Sequence, residues 1–237
     1  MAASLAAQAG GVHGARVKVI VTCGPSYEPI DEVRRITNFS TGELGILLAN
    51  RLTRAGFEVL CFKGMGATCP LRVEGARTVN FTTNENLRAG LAAVEGRGEI
   101  LAVFHAAALS DYRVKTVQSS DGTVITSAKI PSRGGELTVT LEPALKLIGD
   151  LRTLFPASKI VGWKYELNGG REDALIAAMR QIDGAKTDAC VVNGTAFGPG
   201  FGVCEPDVEP MLCADKPRLC AYLSRWIERA VFAGEPG

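Results

Sequence analysis

The segment from residue 17 to residue 62, VKVIVTCGPSYEPIDEVRRITNFSTGELGILLANRLTRAGFEVLCF, decides the fold. Residues 17–22 form a run rich in β-branched side chains, which is typical of a strand covered on both faces. A long loop follows, then a segment whose leucines recur at helical intervals, and then an apolar run at residues 58–62. A strand, a helix and a strand in this order predict a βαβ unit with a right-handed crossover and a parallel strand pair.

The loop before the helix brings Asn38, Ser40, Thr41 and Gly42 to the helix start. Backbone N–H groups are free at that point, and the positive end of the helix dipole favours phosphate. The loop is longer than most strand-to-helix connections, and loops of this length are commonly functional. We therefore predict that it forms the active site. Ser40 and Glu43 also have capping-box spacing at the start of the helix.

Strands and helices alternate along most of the remaining chain. Strands are predicted at residues 77–81, 99–105, 159–164 and 189–193, and helices at residues 83–94, 144–155, 171–182 and 217–232. This alternation predicts a Rossmann-like, doubly wound α/β fold with a mainly parallel sheet, whose ligands bind at the carboxyl ends of the strands. We expect a single domain at residues 17–237, after a disordered leader at residues 1–16.

Residues 114–141 depart from this pattern. Residues 124–127 and 136–141 alternate between apolar and polar side chains, as strands with one solvated face do. Two such runs joined by a short turn predict an antiparallel hairpin, inserted into the α/β domain as a flap.

The composition narrows the classes of partner. The formal net charge is +1, which gives no electrostatic basis for binding nucleic acid or a membrane surface. No apolar stretch approaches the roughly 20 residues that a membrane span needs. We therefore expect neither a nucleic-acid nor a membrane partner.

The cysteines and histidines predict the compartment and argue against a zinc site. Seven cysteines without a CxxC pair indicate reduced thiols in the cytoplasm. With only two histidines in the chain, we assign no side chain as a metal ligand.

An NAD(P)-dependent oxidoreductase of the short-chain type is one alternative function. Residues 24–26 do not fit GxGxxG, and residues 41–45 are one residue too short for TGxxxGxG. Lys63 follows the second strand, where an NAD site would place an acid, and Tyr112 and Lys115 are one position short of a YxxxK pair. These mismatches weaken this alternative.

The segment VTCGPSYEPIDEVRRITNFSTGELG resembles the signature of phosphopantothenate–cysteine ligases, also called phosphopantothenoylcysteine synthetases, which act in coenzyme A biosynthesis. The later motifs AAALSDY, SAKIPS, VGWKYE and VVNG follow in the order of that family. The resemblance covers nearly the whole chain from residue 17. Because no flavin-binding decarboxylase half is present in the sequence, we expect a stand-alone ligase.

The resemblance implies a defined reaction. A nucleoside triphosphate activates the carboxylate of 4′-phosphopantothenate as an acyl-nucleotidyl anhydride and releases pyrophosphate, and the amine of cysteine then displaces the nucleoside monophosphate. It further implies Mg²⁺, CTP or ATP as co-substrate, and a homodimer in which the flap reaches the partner subunit. The sequence leaves the choice between CTP and ATP open.

The resemblance also implies roles for residues in the long loop and after the 99–105 strand. Asn38 would hold the substrate carboxylate and the acyl intermediate as a catalytic residue. Ser40, Gly42 and Gly45 would lie along the triphosphate. The junction between substrate and nucleotide would be lined by Ala107, Ala108 and Asp111. Without the family, Asp111 is equally well interpreted as a helix or turn cap.

Four further residues are assigned to the nucleotide by the same resemblance. Lys129 would neutralise triphosphate charge as a second catalytic residue, although a lone lysine on a hairpin is more often a solvated charge. Trp163 would stack on the base or simply pack in the core. Asn193 and Arg180 would contact the nucleotide.

His105 is expected to be a packed or hydrogen-bonded core residue rather than an acid–base catalyst. Pro131 and Ser132 replace two lysines of the family, and Gly194 replaces an aspartate. A nucleotide-binding module that has lost turnover is therefore the third candidate function.

Overall fold

The computed structural model describes residues 17–131, 133 and 135–232, so the predicted leader and Ser132 lie outside the described residues. The strands are β1 (Lys18–Cys23), β2 (Tyr27–Pro29), β3 (Arg35–Thr37), β4 (Glu58–Gly64), β5 (Arg77–Phe81), β6 (Ile100–His105), β7 (Tyr112–Ser119), β8 (Leu137–Pro143), β9 (Lys159–Tyr165), β10 (Ala189–Asn193), β11 (Phe201–Glu205) and β12 (Val208–Cys213). The helices are α1 (Glu43–Arg54), α2 (Asn84–Ala92), α3 (Leu147–Leu154), α4 (Arg171–Ala185) and α5 (Lys216–Phe232).

The largest sheet contains eight strands in the order β12-β11-β10-β9-β6-β1-β4-β5. The six strands from β10 to β5 are parallel, and β11 and β12 add an antiparallel edge. β1 lies between β4 and β6, and the predicted βαβ unit is confirmed by the parallel pairing of Ile20 with Leu60. The strand order reverses direction at β1, so the carboxyl ends of β1 and β6 form the crevice in which a doubly wound sheet binds ligands.

Helices cover both faces of this sheet. Buried side chains of α1 and α5 pack with Val19 and Val21 of β1 on one face. On the other face α2 and α3 pack with Ile20 and Val103, and α4 forms a third cluster with β10 and β11. The predicted Rossmann-like, doubly wound fold is therefore confirmed.

The inserted hairpin is present, but one of its predicted strands is wrong. β8 pairs with β7, which begins at Tyr112, rather than with residues 124–127. Val124 makes only an isolated bridge with Gln118. The chain beyond it turns back onto the long loop, because the N–H of Ile130 and the C=O of Ala128 find partners there.

Three local predictions also need correction. The residue before α1 is Gly42, which has φ +77° and makes no side-chain cap, so the Ser40–Glu43 capping box is wrong. The helix predicted at residues 144–155 begins only at Leu147, because β8 continues to Pro143. Between β10 and α5 the sequence predicted no strand, whereas the structure has the antiparallel hairpin of β11 and β12.

Candidate functional site

The long loop after β1 and the alanine run after β6 lie side by side beyond the sheet. The N–H of Ala106 donates to the carbonyl of Thr22 over 3.1 Å, and the N–H of Ala108 donates to the carbonyl of Gly24 over 3.0 Å. In return the N–H of Ser26 donates to the carbonyl of Ala108 over 3.2 Å. These bonds extend the parallel β1–β6 ladder past the strand ends, so the two predicted site segments share one framework.

Two buried polar side chains position the segment of residues 109–111. The N–H of Ser110 donates to Ser26 Oγ over 2.9 Å. Asn84 Nδ2 donates to the carbonyls of Ser110 and Leu145 over 2.8 and 3.2 Å. Ser26 and Asn84 are fully buried. Because a buried polar group needs its partners, these bonds hold the backbone of this segment in one place.

Asn38 reaches across to the same segment from the loop. Its Nδ2 donates to the carbonyl of Leu109 over 2.9 Å, while the hydroxyl of Thr37 donates to the carbonyl of Ser26 over 2.7 Å. The same Nδ2 makes a long contact of 3.5 Å with the carbonyl of Ala108, so a ligand that takes the second N–H of this exposed side chain competes only with that weak bond. The structure thus brings Asn38 next to Ala108 and Leu109.

The start of α1 lies very close to the end of β1. At Gly42 a Cβ would lie 3.0 Å from the Cβ of Ala67 and 3.3 Å from the Cα of Gly24. At Gly45 a Cβ would overlap the Cβ of Cys23 and lie 3.3 Å from its Cα. The N–H of Ser40 is occupied, since it donates to the carbonyl of Asn38. Gly42 and Gly45 therefore have a packing role whether or not they border a ligand.

A cavity of about 670 Å³ opens next to this framework, between the ends of β6 and β9 and the helices α3 and α4. Four of the predicted residues line it, namely Ala107, Asp111, Trp163 and Arg180. The other predicted residues, Asn38, Ser40, Gly42, Gly45, Ala108, Lys129 and Asn193, do not line it. Asn38 still adjoins the cavity, because the Leu109 that it contacts is part of the lining.

The cavity is basic. Lys146, Lys164 and Arg180 line it, and Asp111 is the one carboxylate among the described residues of its lining. Asp111 forms an ion pair with Lys146. Neither Lys146 nor Lys164 was predicted, because Lys146 lies outside the motifs and Lys164 occupies a position of VGWKYE to which the resemblance assigns no role. Lys164 pairs with Glu166 over 3.5 Å, so Arg180 is the cation of the lining that has no ion pair among the described residues. This remaining positive charge favours an anionic ligand such as a polyphosphate.

Trp163 and Asn193 lie on the neighbouring strands β9 and β10. Each stands two residues after a valine, Val161 or Val191, that packs on the α1 face of the sheet, so both belong to that face. Trp163 packs against the core beneath α1 and α5, which favours the packing alternative, and its buried Nε1 makes no hydrogen bond with the described residues. The carbonyl of Asn193 accepts from the N–H of Glu166 over 2.9 Å. Gly194 has φ +118° and a Cβ there would overlap the Glu166 carbonyl, so glycine is required at this position.

Lys129 lies on an exposed segment that is attached to the long loop. Its neighbour Ile130 is 3% exposed, and the N–H of Ile130 donates to Asp31 Oδ2 over 3.1 Å. The guanidinium of Arg34 donates to the carbonyl of Ile130 over 3.2 Å and pairs with Asp31 over 2.6 Å. We call these contacts the Asp31–Ile130 latch. Burial opposes ionisation of Asp31, but backbone N–H donors, that of Ile130 first, outweigh it and lower its pKa.

Replacing Asp31 with alanine is expected to release the latch, because it removes the acceptor for the N–H of Ile130. Amide hydrogen exchange in the peptide of residues 124–131 should accelerate on the order of tenfold, the effect of losing one charge-assisted hydrogen bond. The matched control is Asp121→Ala, since Asp121 caps only the turn next to Ser119 and Thr123. Equal exchange in the Asp31→Ala variant and the wild type would show that the latch does not hold the segment.

His105 ends β6 and lines the cavity, yet it is only 7% exposed. Its Nδ1 lies 2.8 Å from the Thr22 hydroxyl, and burial lowers the pKa of the imidazole to about 4. A ring with this pKa is neutral near pH 7. His105 is therefore a hydrogen-bonded residue at the base of the cavity, not an acid–base group at neutral pH.

The buried imidazole makes stability depend on pH. The unfolded chain takes up the proton near pH 6.5 and the folded chain only near pH 4, so the unfolded state gains protons first as the pH falls. The free energy of unfolding should decrease by about 3 kcal/mol between pH 7 and pH 4 on account of this residue. Urea titrations of the wild type and His105→Met at both pH values measure the effect. A decrease of the same size in both proteins would contradict it.

Neither a metal cluster nor a membrane helix is found in the described part of the chain. No group of three or more His, Cys, Asp or Glu side chains is arranged to hold a metal ion there. No described helix is both long and apolar enough to span a bilayer. All seven cysteines are free thiols, and six of them are buried.

Comparisons with known proteins identify relatives of this chain. A family model described as "DNA/pantothenate metabolism flavoprotein C-terminal domain" matches residues 14–216. The coenzyme A biosynthesis bifunctional protein CoaBC of Thermococcus kodakarensis is 35% identical over 182 residues, which cover 76% of this chain and 42% of the relative. The chain therefore spans less than half the length of that relative.

Two solved structures share the fold. The DNA/pantothenate metabolism flavoprotein from Streptococcus pneumoniae has a TM-score of 0.79 at 21% identity and covers 90% of this chain and 99% of its own. A variant of Cab2 in complex with phosphopantothenate-cysteine has a TM-score of 0.67 at 16% identity, and the match covers 92% of this chain and 89% of the Cab2 chain.

Proposed function

The chain belongs to the DNA/pantothenate metabolism flavoprotein C-terminal domain family, and on that premise we propose that it is a phosphopantothenate–cysteine ligase of coenzyme A biosynthesis. Its relative in Thermococcus kodakarensis carries the name of a coenzyme A biosynthesis protein, and the Cab2 structure holds phosphopantothenate-cysteine. The observation that carries the proposal is the hydrogen bond from Asn38 to Leu109, because it places an amide donor where the long loop meets the basic cavity.

The reaction needs a carboxylate held beside a nucleotide. Asn38 supplies the amide for the carboxylate of phosphopantothenate and for the acyl oxygen of the intermediate. Ala107 and Ala108 have short side chains, which lets the reacting atoms come close to the backbone. Donors that are already in place stabilise the charge that develops on the acyl oxygen and the phosphates.

The nucleoside triphosphate, CTP or ATP, is the co-substrate. Lys146, Lys164 and Arg180 balance its phosphate charge in the cavity. We infer that Ser40, Gly42 and Gly45 border the phosphates at the start of α1, where the positive end of the helix dipole favours negative charge. We infer that Trp163 and Asn193 approach the nucleotide near the carboxyl ends of β9 and β10. Lys129 approaches it from the latched segment.

Mg²⁺ fits the donor set of the cavity. The ion binds nucleotides through the phosphates and one or two carboxylates, and keeps several waters. Asp111 would supply one such carboxylate, and no dedicated cage of protein ligands would be needed. Mg²⁺ held there would neutralise charge on the phosphates.

We further propose a homodimer in the cytoplasm. Large apolar side chains are exposed on the long loop and on the hairpin of β7 and β8, and covering them would bury apolar surface. They are Val33, Ile36, Phe39, Tyr112, Leu137 and Leu141.

An assay of both products tests the function. Phosphopantothenate, cysteine, Mg²⁺ and either CTP or ATP are supplied, and pyrophosphate and the thiol product are measured. Formation of both in equal amounts supports the ligase. Nucleotide binding without product indicates a module that has lost turnover, and hydride transfer to a nicotinamide indicates the oxidoreductase.

A further inference from the structure

His105 lines the cavity, and the proposed reaction assigns it no role. It lies where β6 ends, directly before the alanine run, and it lines the cavity together with Lys146, Lys164 and Arg180. Its Nδ1 is engaged with Thr22, whereas Nε2 has no hydrogen-bond partner among the described residues.

The hydrogen bonds around Thr22 determine which ring nitrogen carries the hydrogen. The N–H of Ala107 donates to Thr22 Oγ1 over 3.2 Å, so the hydroxyl oxygen is an acceptor there. The hydroxyl has one hydrogen, and its one acceptor among the described residues is His105 Nδ1, 2.8 Å away. Because a neutral imidazole has one acceptor and one donor nitrogen, the hydrogen is on Nε2.

The opposite tautomer would leave a buried group unsatisfied. With the hydrogen on Nδ1, Thr22 Oγ1 would accept two N–H groups and its own hydrogen would have no acceptor in the described part of the chain. Thr22 is fully buried, so that hydrogen could not turn to water instead. A buried donor without an acceptor is strongly unfavourable.

A fixed, neutral N–H donor in a basic cavity selects its ligand. It repels neither the lysines nor the arginine around it, and it offers no acceptor to an ammonium group, so the amine of cysteine is a poor partner. An oxygen anion satisfies the donor and the cations together. We propose that His105 binds the nucleotide by donating its Nε2–H to a phosphate oxygen, an inference that rests on the proposed use of this cavity by a nucleoside triphosphate.

Nuclear magnetic resonance tests the contact directly on the wild-type protein. The chain has only two histidines, His13 and His105, so ¹⁵N-histidine labelling gives two ring systems, and His13→Gln assigns them. We expect the ¹⁵N shifts of a neutral ring with hydrogen on Nε2, and a change at Nε2 when inorganic pyrophosphate is added. Cytidine and adenosine, which lack phosphate, should leave Nε2 unchanged.

The outcomes of this experiment separate the alternatives. Hydrogen on Nδ1, or an Nε2 signal that pyrophosphate does not move, overturns the inference. A change caused by the nucleosides alone also overturns it, since the donor would then contact the base. The titration requires no turnover. If the protein makes no product but shows the change at Nε2, the proposed function is wrong and the contact between His105 and phosphate still stands.

Kinetics supply the second test. His105→Met removes the donor at similar size, and His105→Gln keeps an N–H donor on a side chain of similar reach. The Met variant should raise KM for the nucleoside triphosphate about tenfold, the effect of a lost hydrogen bond to a charged group, while KM for cysteine stays the same. The Gln variant should restore most of the affinity. Equal KM values for the triphosphate in both variants would overturn the inference while leaving the ligase function intact.

Discussion

Replacing Asn38 with alanine is expected to reduce kcat of the ligase reaction by roughly 100- to 1,000-fold, the usual effect of removing one donor from a site that stabilises a developing oxyanion. Two effects combine. The variant lacks the amide that faces the substrate carboxylate, and it lacks the hydrogen bond that joins the long loop to the carbonyl of Leu109. Steady-state rates of pyrophosphate release at saturating substrates measure the change.

The control for this variant is Asn80→Ala. Asn80 is an exposed asparagine of β5, at the edge of the sheet and outside the cavity lining. Its replacement should leave kcat within about twofold, as surface substitutions away from special features do. A turnover of Asn38→Ala close to that of Asn80→Ala would remove Asn38 from the catalytic residues.

Replacing Gly45 with alanine is expected to lower the free energy of unfolding by about 3 kcal/mol or more, at the upper end of what overpacking of a core produces. The new methyl group would overlap the Cβ of Cys23 and lie 3.4 Å from the carbonyl oxygen of Thr22. These atoms belong to the central strand β1, so α1 must move as a whole. The gain in helix propensity, at most about 1 kcal/mol, does not offset this.

Gly184→Ala is the matched control for the glycine prediction. Gly184 is also inside a helix, but a Cβ there would meet no atom within 4 Å. Alanine should therefore stabilise the protein, by up to about 1 kcal/mol. Urea denaturation of the three proteins gives the comparison. An unchanged midpoint in Gly45→Ala would show that α1 does not pack against Cys23 as closely as the structure has it.

The sequence predicted the sheet and its helices well because the signals are local. The apolar runs of β1, β6, β9 and β10 and the spacing of leucines in α1 each depend on neighbouring residues. The hairpin of β7 and β8 was only partly predicted, because residues 124–127 alternate as a strand does. In the structure the N–H of Ile130 and the carbonyl of Ala128 are instead bonded to the long loop. These bonds join residues about a hundred positions apart, so no local sequence pattern predicts them.

The residues of the candidate site divide in the same way, into those that local motifs predict and those that only the fold brings together. Asn38, Ala107, Ala108 and Asp111 belong to segments with recognisable motifs, and the structure brings them together. Lys146 precedes α3 and Lys164 lies in β9, and only the assembled fold places both in one cavity. Thr22 reads as an ordinary strand residue in the sequence. Its hydroxyl acquires a role only when β6 places His105 next to it.

The central claim is that the chain activates a carboxylate by transfer of a nucleotidyl group before cysteine attacks. Phosphopantothenate labelled with ¹⁸O in its carboxylate tests this claim most directly, with mass spectrometry of the phosphate-containing products. The account predicts one ¹⁸O atom in the nucleoside monophosphate and none in the pyrophosphate, because the carboxylate oxygen stays on the phosphorus that it attacked. Appearance of the label in orthophosphate, or formation of product without any labelled monophosphate, would contradict it.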